Sequence, residues 1–496
     1  MLLSTLLSRY GITASLAEDL TIKAVTADSR HVSPDSLFVA IRGQNHDGAK
    51  FIPLAITSGA TAIVTMHDNH SPSIGMHWEG ERKAIIIRVH NPAHFLAQAA
   101  AWFAAPLPEH IVAVTGTNGK SSTVDFLRQL WQLRGTAAAS LGTLGVITQA
   151  DIPPMPAMTT PDAVALASTL STLQRSHVTH VALEASSHGL HQHRLDGLSL
   201  TAAGFSNLTR DHLDYHETIE AYRDAKLRLF RDLLPPGNIA VINADMDPDT
   251  YSALTQTAHQ CGHILRDIGI NATTLRLLEA QPTPQGHIIR VALHGEPLPD
   301  ITLPFPGRFQ VDNALMAAAL CWEEDAEAPA VLALLSQLRS VPGRCERVAD
   351  LPNGAAAYVD YAHTPDALEH VLLSLRPHTR GKLHVIFGAG GDRDSGKRPL
   401  MGQIAGHIAD RITITDDNPR SEDPATIRAA IRATCPHAQE IGDRRAAIED
   451  GLKRLGPGDI LLIAGKGHET GQVIGSTTYP FDDRALTRSL AEKVSL

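Results

Sequence analysis

The chain has 496 residues, 43% hydrophobic and 19% charged, which is the balance of packed globular domains and excludes a disordered chain. Lys and Arg number 43 against 53 Asp and Glu, a net charge of −10 without long single-sign blocks, which argues against nonspecific nucleic-acid binding. The four cysteines form no CxxC pair, so a thiolate zinc site is not expected and a reducing compartment is the simpler reading.

The length predicts about three domains of roughly 150 residues, each large enough to bury its own core. The opening MLLSTLLSRYG has no basic leader region, and no apolar run reaches the roughly 18 residues of a spanning helix. A cytoplasmic protein without membrane insertion is expected, working as a monomer.

In chain order, Leu37–Ile41, Ala62–Val64 and Ala84–Ile87 read as strands, and the Ala-rich Ala93–Ala105 reads as a helix ending before Pro106. A first boundary is placed there, giving a domain over 1–105. His110–Thr115 is a strand that runs into a Gly-rich loop, followed by a helix from Ser121 to Leu133 with Phe126, Leu127, Leu130 and Leu133 on one face. Strand, Gly-rich loop, helix opens a nucleotide-binding α/β domain. Further strands are expected at His180–Leu183, Ala203–Phe205 and Ile239–Ile242, and the Pro/Gly-bearing Val341–Arg344 marks the end of a domain over 106–340.

Residues 341–496 hold three more strands, Leu383–Phe387, Ile412–Thr415 and Ile460–Ile463. They end in the polar loops GAGGDRDSGKR, DDNPRSED and AGKGHET. Ligands in open parallel sheets sit beyond the carboxyl ends of strands, so three such loops predict one composite pocket.

The loop after the second-domain strand reads Thr115-Gly116-Thr117-Asn118-Gly119-Lys120-Ser121-Ser122. Its glycines let backbone N–H groups turn toward phosphate oxygens at a helix N-terminus. Lys120 supplies a point charge for outer phosphates, and Ser121 can ligate Mg²⁺. The usual P-loop spacing is not met, because Val114 stands five before Gly119. GKSS directly after an apolar strand nevertheless favours ATP over a mere Gly-rich turn. Glu184 ends the strand HVALE and can take up a metal near the phosphates, with His212 as a further metal-side ligand or neighbour. His188, His191 and His193 lie close together, as do His212 and His216. Neither group has zinc-motif spacing, and with 26 histidines in the chain such clustering arises by chance.

TGTNGKSS, EASSHGLHQHR, SNLTRDHLDYH, DAK, PGR, DYAHTPD, GAGGDRDSGKRPLMG, DDNPR and AGKGHE occur in one order. From about residue 26 onward the chain resembles the Mur ligase family. The resemblance implies an α/β protein of three domains, with a central P-loop-type ATP-binding domain and a Rossmann-like C-terminal domain. It implies a ligase of peptidoglycan synthesis that uses ATP and Mg²⁺ to form an amide through an acyl phosphate. Within the family the DNPR form implies addition of meso-2,6-diaminopimelate to UDP-N-acetylmuramoyl-L-alanyl-D-glutamate. A lysine-adding relative or a folylpolyglutamate synthetase-like ligase is the alternative. A nucleotide-gated binding module would not need the three C-terminal loops.

Carried over by motif, the uridine nucleotide meets Ala27, Ser29, Gln44, Asn45 and His46. The muramoyl dipeptide meets Thr159, Thr160, Ser186, Gln192 and Arg194. ATP meets Gly116 through Ser122 together with Asn313 and Arg344, with Asp360 and His363 near the nucleotide. Met158 and Gln310 depart from family asparagines. Lys226 matches the family lysine that carries a carbamate; its carbamate would join Ser121, Glu184 and His212 at Mg²⁺. Lys120, Lys226 and His212 are the implied catalytic residues. Arg393, Asp417, Asn418, Pro419, Arg420, Gly465 and Glu469 would hold diaminopimelate, arginines on its carboxylate and carboxylates on its ammonium.

Overall fold

The computed structural model describes residues 1–13, 16, 19–43, 47–67, 73–79, 82–153, 158–209 and 213–494. These fall into two compact units. One is Met1–Lys120, Leu127–Ile242 and Met246–Arg266; the other is Ser121–Phe126, Asn243–Asp245 and Asp267–Leu496.

The first unit opens with α1 (Leu3–Arg9), β1 (Ala24–Thr26), β2 (Ser36–Val39), α2 (Ile52–Ser58), β3 (Ala60–Met66), β4 (Ser73–Glu79), β5 (Arg82–Val89) and α3 (Pro92–Ala104). Its sheet has the order β1-β2-β3-β5-β4, parallel except for β4. The three expected strands lie within or overlap β2, β3 and β5. The edge strand β4 escaped the sequence pattern because Ile74 and Met76 point to solvent, so its apolar residues mark no buried face. The helix α3 starts where Asn91 caps it and Pro92 fills its first turn.

The chain continues with β6 (His110–Thr115), α4 (Lys120–Leu133), β7 (Ala138–Gly142), β8 (Gly145–Thr148), α5 (Ala163–Arg175), β9 (His180–Glu184), α6 (Ser187–His191), β10 (Ala202–Phe205), α7 (Leu213–His216), α8 (Ile219–Arg228), β11 (Ile239–Asn243) and α9 (Pro248–Gln260), all in the first unit except Ser121–Phe126 of α4 and Asn243 of β11. The strands run β11-β10-β6-β9-β7-β8, and all but β8 are parallel where their pairing is recorded. Thr115, Glu184 and Phe205 therefore end on one sheet edge. On α4, Phe126, Leu127 and Leu130 are fully buried, whereas Leu133 is 40% exposed, so the expected apolar face stops one turn early. Phe95, Leu96, Ala99 and Ala100 of α3 share an apolar cluster with Ala163 and Ala167 of α5. Small side chains let these two helices approach closely, so residues on both sides of position 105 belong to one core.

The second unit holds β12 (Ile264–Gly269, which the chain enters from the first unit), β13 (Leu275–Thr283), β14 (Gly286–Leu293), β15 (Glu296–Pro297), β16 (Ile301–Leu303), α10 (Arg308–Cys321) and α11 (Ala328–Ala333). Then come β17 (Glu346–Asp350), β18 (Ala356–Asp360), α12 (Pro365–Leu375), β19 (Leu383–Phe387), α13 (Lys397–Ile408), β20 (Arg411–Ile414), α14 (Pro424–Arg432), β21 (Gln439–Glu440), α15 (Arg444–Lys453), β22 (Ile460–Ala464), β23 (Gly471–Ile474), β24 (Thr477–Pro480) and α16 (Asp483–Val494). The sheet β17-β18-β22-β19-β20-β21 is parallel apart from β17, with apolar clusters on both faces. Burial on both sides explains why β19 and β22 read as continuous apolar runs. The carboxyl ends of β18, β22, β19 and β20 share one edge, and the three polar loops leave from it.

Candidate active site

The Gly-rich loop after β6 is held by the chain leaving β10. Thr117 N–H donates to Asn207 O (2.9 Å), Asn118 N–H to Asn207 Oδ1 (2.9 Å), and Ser206 Oγ to Asn118 O (2.6 Å). Gly116 has φ +141°, and a Cβ there would lie 2.0 Å from Ser206 Oγ. No other residue fits that position.

Lys120 Nζ donates to Gly116 O and Thr117 O, both at 2.8 Å. Lys226 Nζ donates to the same Gly116 O at 2.8 Å and lies 4.5 Å from the Tyr222 ring centroid. Two side-chain amines thus meet at one carbonyl. Lys226 is only 1% exposed, so the helix TIEAYRDAK does not present it as a surface lysine. Ser121 and Ser122, in the first turn of α4, are buried as well.

Glu184 is 2% exposed at the end of β9. Its Oε1 accepts from Thr143 N–H (2.8 Å) and its Oε2 from Thr143 Oγ1 (3.2 Å). Thr143 Oγ1 also meets Thr159 Oγ1 at 2.9 Å. The hydroxyl of Thr160 donates to Glu184 O (2.8 Å) and accepts from Ser186 N–H (3.0 Å), so it ties the strand end to the next turn. Ser186 caps α6 by accepting from Gly189 N–H. Arg194 donates to Thr160 O and to Gln192 Oε1, and burial lowers its pKa. The muramoyl-dipeptide residues inferred from sequence therefore form one connected group beside Glu184. Met158 is half exposed, with its sulfur 4.0 Å from Arg194 Nη1.

Ser29 opens a short 3-10 turn capped by Asp28, next to Ala27. Gln44, Asn45, His46 and His212 lie outside the described residues. His188, His191 and His216 pack as rings around Tyr215, whose hydroxyl is 3.0 Å from His191 Nδ1.

A different trio, His94, His193 and Asp196, brings ligand atoms within metal-binding reach. Its hydrogen bonds argue against an ion. Asn91 Oδ1 accepts from His94 N–H (3.0 Å), so Asn91 turns its amide NH₂ to His193 Nε2 (2.9 Å). That nitrogen must accept, which leaves the ring proton on Nδ1, 2.6 Å from Asp196 Oδ2. Arg228 Nη2 donates to the same oxygen at 3.0 Å. A protonated nitrogen and a guanidinium fill the places a cation would need.

The second unit holds the other predicted residues. Asn313 Nδ2 donates to Gln310 Oε1 (3.0 Å) and Gln310 Nε2 to Arg344 O (3.2 Å), so the glutamine that departs from the family keeps a polar link here. The Arg344 guanidinium lies 4.9 Å from the Tyr361 ring centroid. Burial raises the Asp360 carboxyl, partly opposed by the Arg344 charge and by N–H donors from Cys345 (2.6 Å) and Ala362 (2.7 Å). His468, in the loop after β22, is pushed down to about 4 by burial. His363 is exposed, with Nδ1 2.9 Å from Tyr361 O.

The three polar loops do converge. Gly391 N–H donates to Asn418 O (2.9 Å), Arg420 Nη1 to Gly391 O (2.8 Å), and Ser421 Oγ to Asp392 Oδ1 (2.6 Å). Lys466 Nζ donates to Asn418 Oδ1 (3.0 Å) and Glu469 Oε2 (3.2 Å), while Asn418 Nδ2 donates to Glu469 Oε2 (3.1 Å). Asp417 is buried, and its Oδ2 has no hydrogen-bond partner among the described residues. Gly465 has φ +119°, and a Cβ there would lie 2.4 Å from that oxygen. Arg393 is exposed on the first loop, and Arg420 is half-buried with φ +51°. Pro419 is buried between them in the chain. The hairpin β23–β24 docks on the DNPR loop, with Arg420 N–H donating to Val473 O (3.1 Å) and Gln472 Nε2 to Asp417 O (2.8 Å).

The sequence pattern gave no role to Lys466, to Gln472 or to the buried Arg398, whose Nη2 donates to Gly390 O (3.3 Å) and Glu422 Oε1 (2.9 Å). Lys466 and Arg398 stand inside quoted motifs, which was the available signal. Gln472 carries none, because only the hairpin fold brings it to the loop.

Family models cover the chain in three stretches: the "Mur ligase family, catalytic domain" over residues 21–104, the "Mur ligase middle domain" over 114–321, and the "Mur ligase, glutamate ligase domain" over 343–467. The chain belongs to the Mur ligase family and has its three-domain α/β architecture. It is 48% identical over 485 residues to the UDP-N-acetylmuramoyl-L-alanyl-D-glutamate--2,6-diaminopimelate ligase of Caulobacter vibrioides, covering 96% of this chain and 97% of the relative. The protein of that name from Agrobacterium fabrum is 46% identical over 474 residues, covering 95% and 94%. A solved structure of a ligase of the same name aligns with a TM-score of 0.71 at 31% identity, over 97% of both chains.

Proposed function

We propose that the chain is an ATP-dependent amide ligase that joins meso-2,6-diaminopimelate to the D-glutamyl γ-carboxylate of UDP-N-acetylmuramoyl-L-alanyl-D-glutamate, a step of peptidoglycan synthesis. The observation that carries this reading is the amino-acid pocket, where Arg420 and the unpartnered buried oxygen of Asp417 stand on one loop. The non-reacting end of diaminopimelate is a zwitterion and needs both signs of charge. Domains over 1–105, 106–340 and 341–496 would take the uridine nucleotide, ATP and the amino acid respectively.

A carboxylate is a poor acyl donor in water. Its oxygen attacks the γ-phosphorus of ATP, the bond to ADP breaks, and an acyl phosphate forms. The amine of diaminopimelate then attacks the acyl carbon, phosphate leaves with the electron pair of the C–O bond, and the nitrogen loses a proton. Lys120 and the backbone donors of Gly116–Ser121 would stabilise the charge spread over the transferred group. Glu184, buried with Thr143 as its only side-chain donor among the described residues, fits a cation, and Ser121 fits a metal-ligating hydroxyl. Bound there, Mg²⁺ would neutralise phosphate charge. Lys226, facing the same carbonyl as Lys120, suits carbamylation, which replaces an ammonium with a carboxylate that would join Ser121 and Glu184. No helix of the described residues is long and apolar enough to cross a membrane. ATP and a uridine nucleotide as substrates fit a cytoplasmic reaction.

Phosphate release with the muramoyl dipeptide nucleotide and ATP tests the reading. Release should depend on meso-diaminopimelate and be far slower with L-lysine. Equal rates with both amino acids, or release without either, would refute it.

A further inference from the structure

Beneath the amino-acid pocket lies a charged pair that touches no proposed substrate. The side chains of Arg444, at the start of α15, and Asp483, at the start of α16, are both 0% exposed. Arg444 Nε and Nη2 donate to the two Asp483 oxygens at 2.8 and 2.6 Å. A buried pair of this kind adds little net stability, because desolvation offsets the attraction and apolar residues of similar volume do as well or better. The fold alone gives no reason to keep it.

The rest of the guanidinium supplies a reason. Arg444 Nη2 also donates to Ala464 O at 3.0 Å, and Nη1 reaches Asp416 O at 3.5 Å. Ala464 immediately precedes Gly465, and Asp416 immediately precedes Asp417. One carbonyl ends β22 and the other lies two residues past β20, strands that are not neighbours, since β19 runs between them. No backbone ladder joins those strands, so side chains tie their loops: Lys466 and Glu469 meet Asn418 within the pocket, and Arg444 holds the two carbonyls where the loops begin. Asp483 uses both carboxylate oxygens to orient the planar guanidinium toward the carbonyls. An ammonium cannot reproduce that fork. Gln472 holds the next carbonyl, Asp417 O, from the hairpin side.

We infer that Arg444, oriented by Asp483, is a positioning residue for the amino-acid pocket that sets the spacing between the Asp417–Arg420 loop and the Gly465–Glu469 loop. This rests on those loops binding the incoming amino acid. Gly465 shows how little slack there is, since even a Cβ would strike the Asp417 carboxylate.

The test is steady-state phosphate release by the full chain, varying diaminopimelate at saturating ATP and nucleotide substrate, then varying ATP. Arg444→Lys keeps a charge for Asp483 but loses the fork. The double variant Arg444→Met, Asp483→Leu removes both charges at similar volume. Both should lose about 10- to 100-fold in kcat/KM for diaminopimelate, mostly through KM, while KM for ATP stays within about twofold. The double variant should keep the wild-type melting temperature, which a merely structural pair would not allow alongside a selective KM defect. Wild-type KM for diaminopimelate in Arg444→Lys, or a uniform rise in every KM, overturns the inference. Should the double variant fail to fold, Arg444→Lys decides alone. If the wild type answers to a different amino acid, the substrate assignment falls, and the same variants' KM for that amino acid still tests the positioning role.

Discussion

The proposed phosphate loop and the proposed amino-acid pocket solve the same problem, holding polar groups at strand ends, by different means. That loop is nearly contiguous in sequence, and its donors are backbone N–H groups and one helix start, braced by Ser206–Asn207 and, from α8, by Lys226 on Gly116 O. The amino-acid pocket is spread over some 80 residues of chain and depends on side chains that bond to other loops, such as Arg420 on Gly391 O and Lys466 on Asn418. A contiguous anion site is built from geometry every residue carries. A pocket for a zwitterion needs both signs of charge at fixed separation, and only distant residues brought together supply it.

The largest effect that would sharpen this contrast is in selectivity. Arg420→Ala should remove most of the preference for diaminopimelate over lysine, a ratio of order ~10⁴ where a site pairs a polar group its competitor lacks. ATP affinity should barely change, and competition assays with both amino acids read the ratio. Retained selectivity would move recognition elsewhere, with Arg393 the next residue to test.

On the phosphate side, Lys120→Ala should cost at least ~100-fold in turnover with the fold intact, since the cation acts on transferred charge. Circular dichroism and phosphate release together check it; normal turnover in the folded variant would discard the loop assignment. Lys226→Ala should be nearly inactive and recover partly when a small carboxylate such as formate is added. No recovery, together with a mass showing unmodified Lys226 under bicarbonate, would argue against the carbamate.

The smallest effect concerns stability and the acid limb. The Asp196 carboxyl lies well below the usual carboxylate range: burial alone would raise it, but hydrogen bonds from His193 and His94 and the Arg228 charge outweigh burial. A carboxylate with a depressed folded pKa stabilises fully above its unfolded value of about 3.9, and that contribution is lost as pH falls toward the folded value. Asp196→Ala leaves Arg228 with Asp232 as its remaining carboxylate and takes the shared acceptor from His94 and His193, so it should cost about 1 to 3 kcal/mol at neutral pH. Its denaturation midpoint should also vary less with pH below about 4 than that of the wild type. An unchanged acid limb would mean the network titrates elsewhere. Because α8 carries both Lys226 and Arg228, loss of Asp196 should disturb the phosphate side and leave diaminopimelate selectivity alone.

The sequence by itself determined the elements and residues whose signal is local. Apolar runs buried on both faces located β6, β9, β19 and β22 within a residue or so, because strands with no solvent face need no alternation. Gly116 and Gly119 with Lys120 located the turn between β6 and α4, because backbone conformation is written in adjacent residues. Tertiary structure alone decided the rest. Edge strand β4 and hairpin β23–β24 carry little buried apolar surface, so periodicity had nothing to report. Leu133 fits a helical stripe, yet the core ends before it. Lys226 looks like a solvated lysine in its helix, and only the approach of α8 to Gly116 buries it. The same holds for Arg444, whose ion pair and two carbonyls lie 20 to 39 positions away. Hydrophobic period and turn chemistry act over a few residues and can be read in order. Burial of a charge, and the partners that make it tolerable, depend on which distant segments the sheet brings to one edge.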